Sequence, residues 1–239
     1  MNDTGWVEAV TSGGLGVLVL VAAGRGRWLT LGGVGAALLV GGAVWVGTGL
    51  PGLLPLAAFL VSASLLTRLG GAERPVRGRG MKAGARSARQ VLANGGVAAA
   101  CALIGLAGAF PAAQYAVLGA VSAATADTWA TELGTAAGGV TRRFGTWETV
   151  APGRSGGVSV EGSLGGALGA AVIGLLAWPL FGSPGAFPLV CALVSGVSGM
   201  WVDSFLGAAV EDRIRWVDNE VVNLCGTLAG AMLAWGLAR

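Results

Sequence analysis

The chain of 239 residues contains no histidine. This absence excludes Ser-His and Cys-His nucleophile systems, histidine metal ligands and an imidazole general base. Any chemistry must therefore use carboxylates, amides, hydroxyls, arginine and lysine. Cysteine is scarce as well, since Cys101, Cys191 and Cys225 stand apart within apolar stretches and form no CxxC pair. We interpret them as packing residues.

Charge is also scarce, because Asp, Glu, Lys and Arg make up 11% of the chain, whereas 54% of the residues are hydrophobic and 44 are glycine. This composition excludes an ordinary soluble domain and indicates an integral membrane protein. A helix needs about 17 to 25 mostly apolar residues to cross a bilayer. The sequence therefore predicts an all-α, polytopic transmembrane bundle of about eight spans. The runs are 6–23, 28–48, 51–69, 91–109, 112–137, 163–181, 186–210 and 220–238.

Basic residues are confined to alternate loops between these runs. Of the 15 Lys and Arg residues, all except Arg239 fall in the first, third, fifth and seventh loops. Cytoplasmic loops collect Lys and Arg, so we expect 70–88, 139–160 and 211–219 to face the cytoplasm and both termini to face away from it. The N-terminus carries Asp3 and Glu8 instead of a basic segment, and we expect no cleaved signal peptide.

The same distribution accounts for the net charge of +3, so no nucleic-acid partner is implied. The first half of the basic loop at 70–88 is expected to contact anionic lipid headgroups. The sequence leaves open whether the chain forms a homo-oligomer.

Five polar side chains lie inside the apolar runs, all in the half nearest the predicted cytoplasmic side. An ionisable group in hydrocarbon costs roughly 2.5 to 3.5 kcal/mol, so a chain that keeps several at one depth is expected to bind something there. The sequence predicts that these five residues form the catalytic site: Asn94, Asp127, Glu132, Asp203 and Asn223.

The three carboxylates, Asp127, Glu132 and Asp203, are the predicted ligands of Mg²⁺, which prefers oxygen. Asp127 and Glu132 are five residues apart, or about 140° around an ideal helix. Both can reach one cavity only if their helix bends or ends near Gly134. For Asp203, a structural hydrogen bond to Asn94 or Asn223 is the alternative to a ligand role.

A glycine-rich segment precedes the run at 163–181, and no Walker-type phosphate loop is present. Clustered glycines before a helix can expose backbone N–H groups to an anion, although glycines at this spacing are equally typical of close helix contacts. Residues of this segment and of the basic loops are the predicted substrate contacts: Lys82, Arg89, Gln90, Arg142, Arg143, Arg154, Ser155, Gly156, Gly157, Ser159, Glu161 and Ser163.

Blocks at 89–95, 126–134, 156–159, 199–208 and 219–223 resemble, in order and spacing, the integral-membrane family of plant phytyl-phosphate kinase and animal transmembrane protein 19. The resemblance covers about residues 85 to 230. It implies transfer of phosphate from a nucleotide, with CTP expected, to a membrane isoprenyl monophosphate such as phytyl or geranylgeranyl phosphate.

Glu161-Gly162-Ser163 is further similar to a segment of dolichol kinase and phosphatidate cytidylyltransferase. Those relatives have a Lys-Thr pair before it, where this chain has Val158-Ser159. The resemblance therefore implies that Arg154 or Lys82 contacts the nucleotide phosphates.

Residues 1–69 are almost devoid of polar groups within their runs and are interpreted as scaffold, with 70–239 forming the catalytic part of one membrane domain. The hydrocarbon tail of the substrate is expected between spans. A secondary transporter is the alternative function, but transporters need polar residues for exit on both sides and often contain inverted repeats. The outer halves of the runs are apolar and no repeat is visible, which favours access from the cytoplasm alone.

Overall fold

The computed structural model describes residues 13–14, 16, 21, 23–69, 84–108, 110–183, 185–211, 214 and 216–239, so most of the predicted run at 6–23 lies outside the described residues. The described chain is an all-α bundle with one small sheet. Its helices are α1 (Leu31–Thr48), α2 (Leu50–Leu69), α3 (Ala88–Gly105), α4 (Phe110–Ala137), α5 (Val160–Ala177), α6 (Phe187–Leu206) and α7 (Asn219–Leu237).

Five of these segments are long and apolar enough to cross a membrane, and they comprise α1, α2, α5 with the 3₁₀ turn Trp178–Leu180, α6 with its extension to Val210, and α7. Large apolar side chains lie on the outside of the bundle, including Leu31 (91% exposed) and Leu69 (82% exposed). Because water would make such exposure unfavourable, these faces are suited to lipid.

Helix starts at one end of the bundle are fixed by polar caps. Thr30, Ser159 and Asp218 each accept a hydrogen bond from the backbone N–H three residues further on, at the starts of α1, α5 and α7. Ser87 and Gln90 form a reciprocal capping box at the start of α3. Such caps satisfy backbone donors that have no partner within the helix. All four caps lie at the end that the basic loops predict to be cytoplasmic.

Helix α4 is the centre of the bundle. It packs most extensively on α5, α6 and α7 and also contacts α2 and α3, and its residues 113–126 are buried throughout. Small residues permit this arrangement: a Cβ atom built on Gly119 would lie 2.3 Å from the carbonyl oxygen of Gly230 in α7. Backbones that approach so closely are typical of helix packing in membranes.

The predicted loop at 139–160 folds into a short antiparallel hairpin. Strand β1 (Arg142–Arg143) pairs with β2 (Gly157–Val158), with Arg142 opposite Val158 and Arg143 opposite Gly157. The hairpin joins the end of α4 to the start of α5, and helix α6 ends nearby in a π-helical turn, Gly207–Glu211. This small sheet and the π turn are the local structures that the sequence did not predict.

Candidate active site

Four helices each bring one polar side chain to a single cleft. Asp127 comes from α4, Asp203 from α6, Asn94 from α3 and Asn223 from α7, and all four line a cleft that is too narrow in this structure to hold a water molecule. Helices α3 and α7 begin at this end of the bundle, whereas α4 and α6 end there. At 1.5 Å per residue, the four side chains lie within about 15 Å of their helix ends. The structure thus brings together four of the five residues predicted for the site.

Asp203 and Asn223 are in direct contact. With the Asn223 amide oriented to satisfy its neighbours, its nitrogen donates to Asp203 Oδ2 at 2.9 Å and to the carbonyl oxygen of Asn219 at 3.2 Å. This hydrogen bond orients the carboxylate, but it does not neutralise the negative charge. Asn94 is also held in place, because it is 7% exposed and its Nδ2 donates to the carbonyl oxygen of Gln90 at 2.9 Å.

Glycines keep the cleft narrow around Asp203. A Cβ atom on Gly199 would lie 2.5 Å from the Cβ of Ala123 and 2.7 Å from the carbonyl oxygen of Gly226. A Cβ atom on Gly226 would lie 3.3 Å from the Cβ of Asp203. Helices α4, α6 and α7 therefore meet at backbone distance beside the two carboxylates. A side chain at Gly199 would clash with α4 and α7, and one at Gly226 would crowd Asp203.

Glu132 lies outside this cleft. Helix α4 continues without a break to Ala137, so the 140° separation from Asp127 expected of an ideal helix is retained. Glu132 is 7% exposed, and its Oε1 accepts a hydrogen bond from Thr67 Oγ1 of α2 at 2.7 Å. Within the described residues, no group of three or more carboxylates or thiols is arranged to hold a metal ion.

The hairpin docks on the π turn that follows Asp203. Gly156 has φ +70°, and a Cβ atom there would lie 2.3 Å from the backbone nitrogen of Ala208. A Cβ atom on Gly207 would lie 2.6 Å from Ser155 Oγ. Arg143 Nη2 donates to the carbonyl oxygen of Ala208 at 2.5 Å. Because the π turn begins four residues after Asp203, or about 6 Å along the helix, the glycine segment lies close to the acidic cleft.

Several predicted phosphate contacts serve the hairpin itself. Arg142 Nη1 donates to the carbonyl oxygen of Trp147 at 3.0 Å, and Gly157 N–H donates to the carbonyl oxygen of Arg154 at 2.9 Å. Ser159 caps α5 by accepting from the Gly162 N–H at 3.0 Å. Arg154 is exposed in the loop between the two strands.

Glu161 and Ser163 lie in the first turn of α5. Glu161 is exposed, whereas Ser163 is half-buried. The Glu161 carboxylate lies over Gly139, where a Cβ atom would be 2.3 Å from Oε2. Lys82 lies outside the described residues.

Arg89 and Asp218 join the starts of α3 and α7. Arg89 Nη2 lies 2.8 Å from Asp218 Oδ2, with the side chains 68% and 42% exposed. Partial burial raises the pKa of Asp218, but hydrogen bonds from Arg89 and the Val221 N–H outweigh that effect and hold the pKa below its ordinary value. Gln90, the neighbouring predicted contact, accepts from the Ser87 N–H at 2.9 Å in the capping box.

Two residues near the site were not predicted. Thr227 lines the cleft, and its hydroxyl donates to the carbonyl oxygens of Leu224 at 2.9 Å and Ala93 at 3.3 Å. It follows Asn223 by four residues, so helical spacing could have identified it. Thr67, the partner of Glu132, carried no sequence signal because the pairing joins residues 65 positions apart.

The donor atoms of the cleft fit a hard cation. Mg²⁺ takes oxygen ligands and is usually held through one or two carboxylates together with substrate phosphates. Asp127 and Asp203 supply two carboxylates, and Asn94, Asn223 and Thr227 add amide and hydroxyl oxygens. This set suits Mg²⁺ arriving with a phosphate ligand better than a structural metal enclosed by protein.

Comparison with known proteins identifies relatives in three organisms. An uncharacterised membrane protein of Methanocaldococcus jannaschii is 33% identical over 181 residues, which cover 76% of this chain and 74% of the relative. An uncharacterised membrane protein of Synechocystis sp. is 31% identical over 240 residues, covering 97% and 91%. Protein VTE6, chloroplastic, of Arabidopsis thaliana is 29% identical over 222 residues, covering 86% of this chain and 64% of the plant protein.

No solved structure matches the chain. The family described as Integral membrane protein DUF92 matches residues 14–231, and the match contains all four cleft residues. It also includes α1 and α2, beyond the blocks on which the sequence resemblance rests. This chain is a member of the integral membrane family DUF92.

Proposed function

We propose that this protein is a membrane kinase that transfers the γ-phosphate of a nucleotide, CTP in our proposal, to an isoprenyl monophosphate such as phytyl or geranylgeranyl phosphate. The observation that carries the proposal is the convergence of Asp127, Asp203, Asn94 and Asn223 on one cleft. The resemblance of the sequence blocks to the plant phytyl-phosphate kinase family supports the substrate class.

The proposed reaction is a phosphoryl transfer between two phosphates. An oxygen of the lipid monophosphate bonds to the γ-phosphorus of the nucleotide, and the bond from that phosphorus to the β–γ bridging oxygen breaks. The products are the lipid diphosphate and the nucleoside diphosphate. Because the acceptor oxygen is already an oxyanion, the reaction needs no strong base, which suits a chain without histidine.

The side chains of the cleft have separate roles in this proposal. A bound Mg²⁺ would neutralise charge on the phosphates, as in other phosphoryl transferases. Asp127 and Asp203 would hold it, and Asn223 keeps Asp203 oriented through its 2.9 Å hydrogen bond. Asn94 contributes a fixed amide at the wall of the cleft. Exclusion of water from the reacting phosphates would strengthen electrostatic stabilisation by these side chains.

Arg154 is the proposed contact of the nucleotide phosphates. It is exposed at the tip of the hairpin that docks on the end of α6, on the same end of the bundle as the cleft. Guanidinium groups bind phosphate through two parallel hydrogen bonds. The hairpin would therefore deliver the nucleotide from the cytoplasmic side while the lipid enters from the membrane.

The direct test uses purified protein in detergent with Mg²⁺, each of the four nucleoside triphosphates and a panel of isoprenyl monophosphates. Formation of lipid diphosphate supports the proposal, and a complete panel without product contradicts it. Arg154→Ala should raise the nucleotide KM and leave the KM of the lipid phosphate nearly unchanged, since one substrate loses one contact. Arg239→Ala, which removes a cation–π contact with Trp235, is the matched control and should change neither KM.

A further inference from the structure

A second and larger cavity lies between α1, α2 and α3. Its volume is about 70 Å³ and it is partly open to its surroundings, so it is a groove and not an enclosed pocket of the roughly 300 to 1,000 Å³ that is usual for small-molecule sites. Most of its wall is hydrocarbon or glycine. The apolar lining includes Ala37, Val40, Gly41, Leu53, Leu56 and Phe59.

The polar groups of this groove are concentrated at one end. Arg86, Gln90 and Asn94 line it together with the apolar residues, and all three belong to the start of α3 or the segment before it. Arg86 is half-buried, and its guanidinium lies 5.5 Å from the ring centroid of Phe59. Leu53, by contrast, lies in the first turn of α2, at the end of the groove away from Arg86. The groove therefore has a cationic end and an apolar end.

Asn94 connects the groove with the acidic cleft, because it is part of the wall of both cavities. A ligand in the groove with its head near Arg86 and Asn94 would thus be next to Asp127 and Asp203. A molecule that fits has one anionic head and one hydrocarbon chain.

We propose, resting on the proposed function, that this groove holds the hydrocarbon chain of the isoprenyl monophosphate, with the chain extending from Arg86 towards Leu53. Arg86 attracts the phosphate at the polar end, where its charge complements the phosphate oxygens. Helices α1 and α2 then form part of the substrate site, beyond the scaffold role that their composition indicates. The apolar residues of α1 and α2 then determine which lengths of isoprenyl chain the protein binds.

Two adjacent glycines of α1 provide a matched test. A Cβ atom on Gly41 or on Gly42 would meet none of the described residues within 4 Å, so leucine fits this part of the structure at both positions and favours the helix. Gly41 is half-buried and lines the groove, whereas Gly42 is exposed on the outside of α1. Gly41→Leu fills the groove, and Gly42→Leu adds the same side chain elsewhere.

The measurement is equilibrium binding of radiolabelled phytyl monophosphate to purified full-length protein in detergent, without nucleotide. We expect Gly41→Leu to weaken binding at least about tenfold, or about 1.4 kcal/mol, and Gly42→Leu to leave it within about twofold. Neutral phytol should respond to Gly41→Leu in the same direction. Arg86→Gln should weaken binding of phytyl monophosphate by more than it weakens binding of phytol, because the contact of Arg86 with the Phe59 ring is lost for both ligands and the positive charge matters only for the phosphate.

Each outcome bears on one proposal. No binding to the wild-type protein, equal binding by the two leucine variants, or equal competition by a two-chain phosphatidate would overturn the groove assignment. The same binding pattern without any phosphorylation of the lipid would instead contradict the proposed kinase activity. Normal turnover of phytyl monophosphate by Gly41→Leu would leave the kinase proposal standing and remove the groove from it.

Discussion

Replacing Asp203 by asparagine separates a catalytic from a structural role for this carboxylate. The substitution keeps the shape of the side chain and removes its charge. Asn223 can still donate to the new side chain through the same geometry that now gives a 2.9 Å hydrogen bond to Oδ2. The catalytic and the structural role predict different effects of the lost charge on stability and on activity.

The stability change can be estimated from the two opposing effects. A charge in hydrocarbon costs roughly 2.5 to 3.5 kcal/mol, and this cost disappears in the variant. A hydrogen bond to a charged group is worth about 1.5 to 3 kcal/mol and a neutral one about 0.5 to 1.5 kcal/mol, so weakening the bond from Asn223 loses about 1 to 1.5 kcal/mol. We therefore expect Asp203→Asn to be more stable than the wild-type protein by about 1 to 2.5 kcal/mol.

Activity should respond in the opposite direction. Removing one group that stabilises charge in a transition state typically reduces kcat by about 10²- to 10³-fold, and we expect a loss of at least this size in the formation of lipid diphosphate. The assays are thermal unfolding in detergent and turnover with Mg²⁺ and CTP. A Tm lowered by several degrees together with retained turnover would refute the reasoning and assign Asp203 to helix association.

Three further predictions concern the surroundings of the cleft. Glu132→Gln should leave turnover and the Mg²⁺ concentration for half-maximal activity within about twofold of the wild-type values, and a shifted Mg²⁺ dependence would place Glu132 in the metal site. Thr67→Val should lower the free energy of unfolding by about 1 to 3 kcal/mol, because the buried Glu132 carboxylate loses the hydrogen bond from Thr67. Gly156→Ala should strain the hairpin by about 1 to 3 kcal/mol and raise the nucleotide KM, while binding of phytyl monophosphate stays unchanged. Equal kinetics in the variant and the wild-type protein would show that the hairpin has no role in nucleotide binding. The pairing of Asp218 with Arg89 should be complete above pH 3.8, the ordinary pKa of the carboxyl, and disappear as the pH falls through the lower pKa of the folded protein. The difference in free energy of unfolding between the wild-type protein and Asp218→Ala should therefore shrink as the pH falls, down to the constant contribution of the lost helix cap. A difference that grows in acid would contradict this prediction.

The sequence predicted the helices well because hydropathy is a local property. The run at 112–137 corresponds to α4, Phe110–Ala137, and the run at 163–181 to α5, Val160–Ala177. The start of α5 was missed by three residues because Ser159 caps the helix through the Gly162 N–H, and a hydropathy pattern does not report a cap. The topology with both termini away from the cytoplasm stays a prediction.

The sequence also anticipated part of the site from depth alone. Asn94, Asp127, Asp203 and Asn223 meet in one cleft because each lies near the end of its helix that is on the same side of the bundle. Glu132 was predicted to be a metal ligand together with Asp127, on the condition that α4 bends or ends near Gly134. A straight α4 directs Glu132 to Thr67 instead.

The sequence by itself determined that this is a helical membrane protein and which polar side chains share a depth, because length, hydropathy and charge are read along one chain. Only the tertiary structure decided how the helices are rotated and how closely they approach. Backbone contacts at Gly199 and Gly226 set the width of the acidic cleft, and Gly156 fixes the hairpin on the end of α6. The groove between α1, α2 and α3 arises from the same cause, since a cavity depends on the distances between helices that no single run of residues encodes.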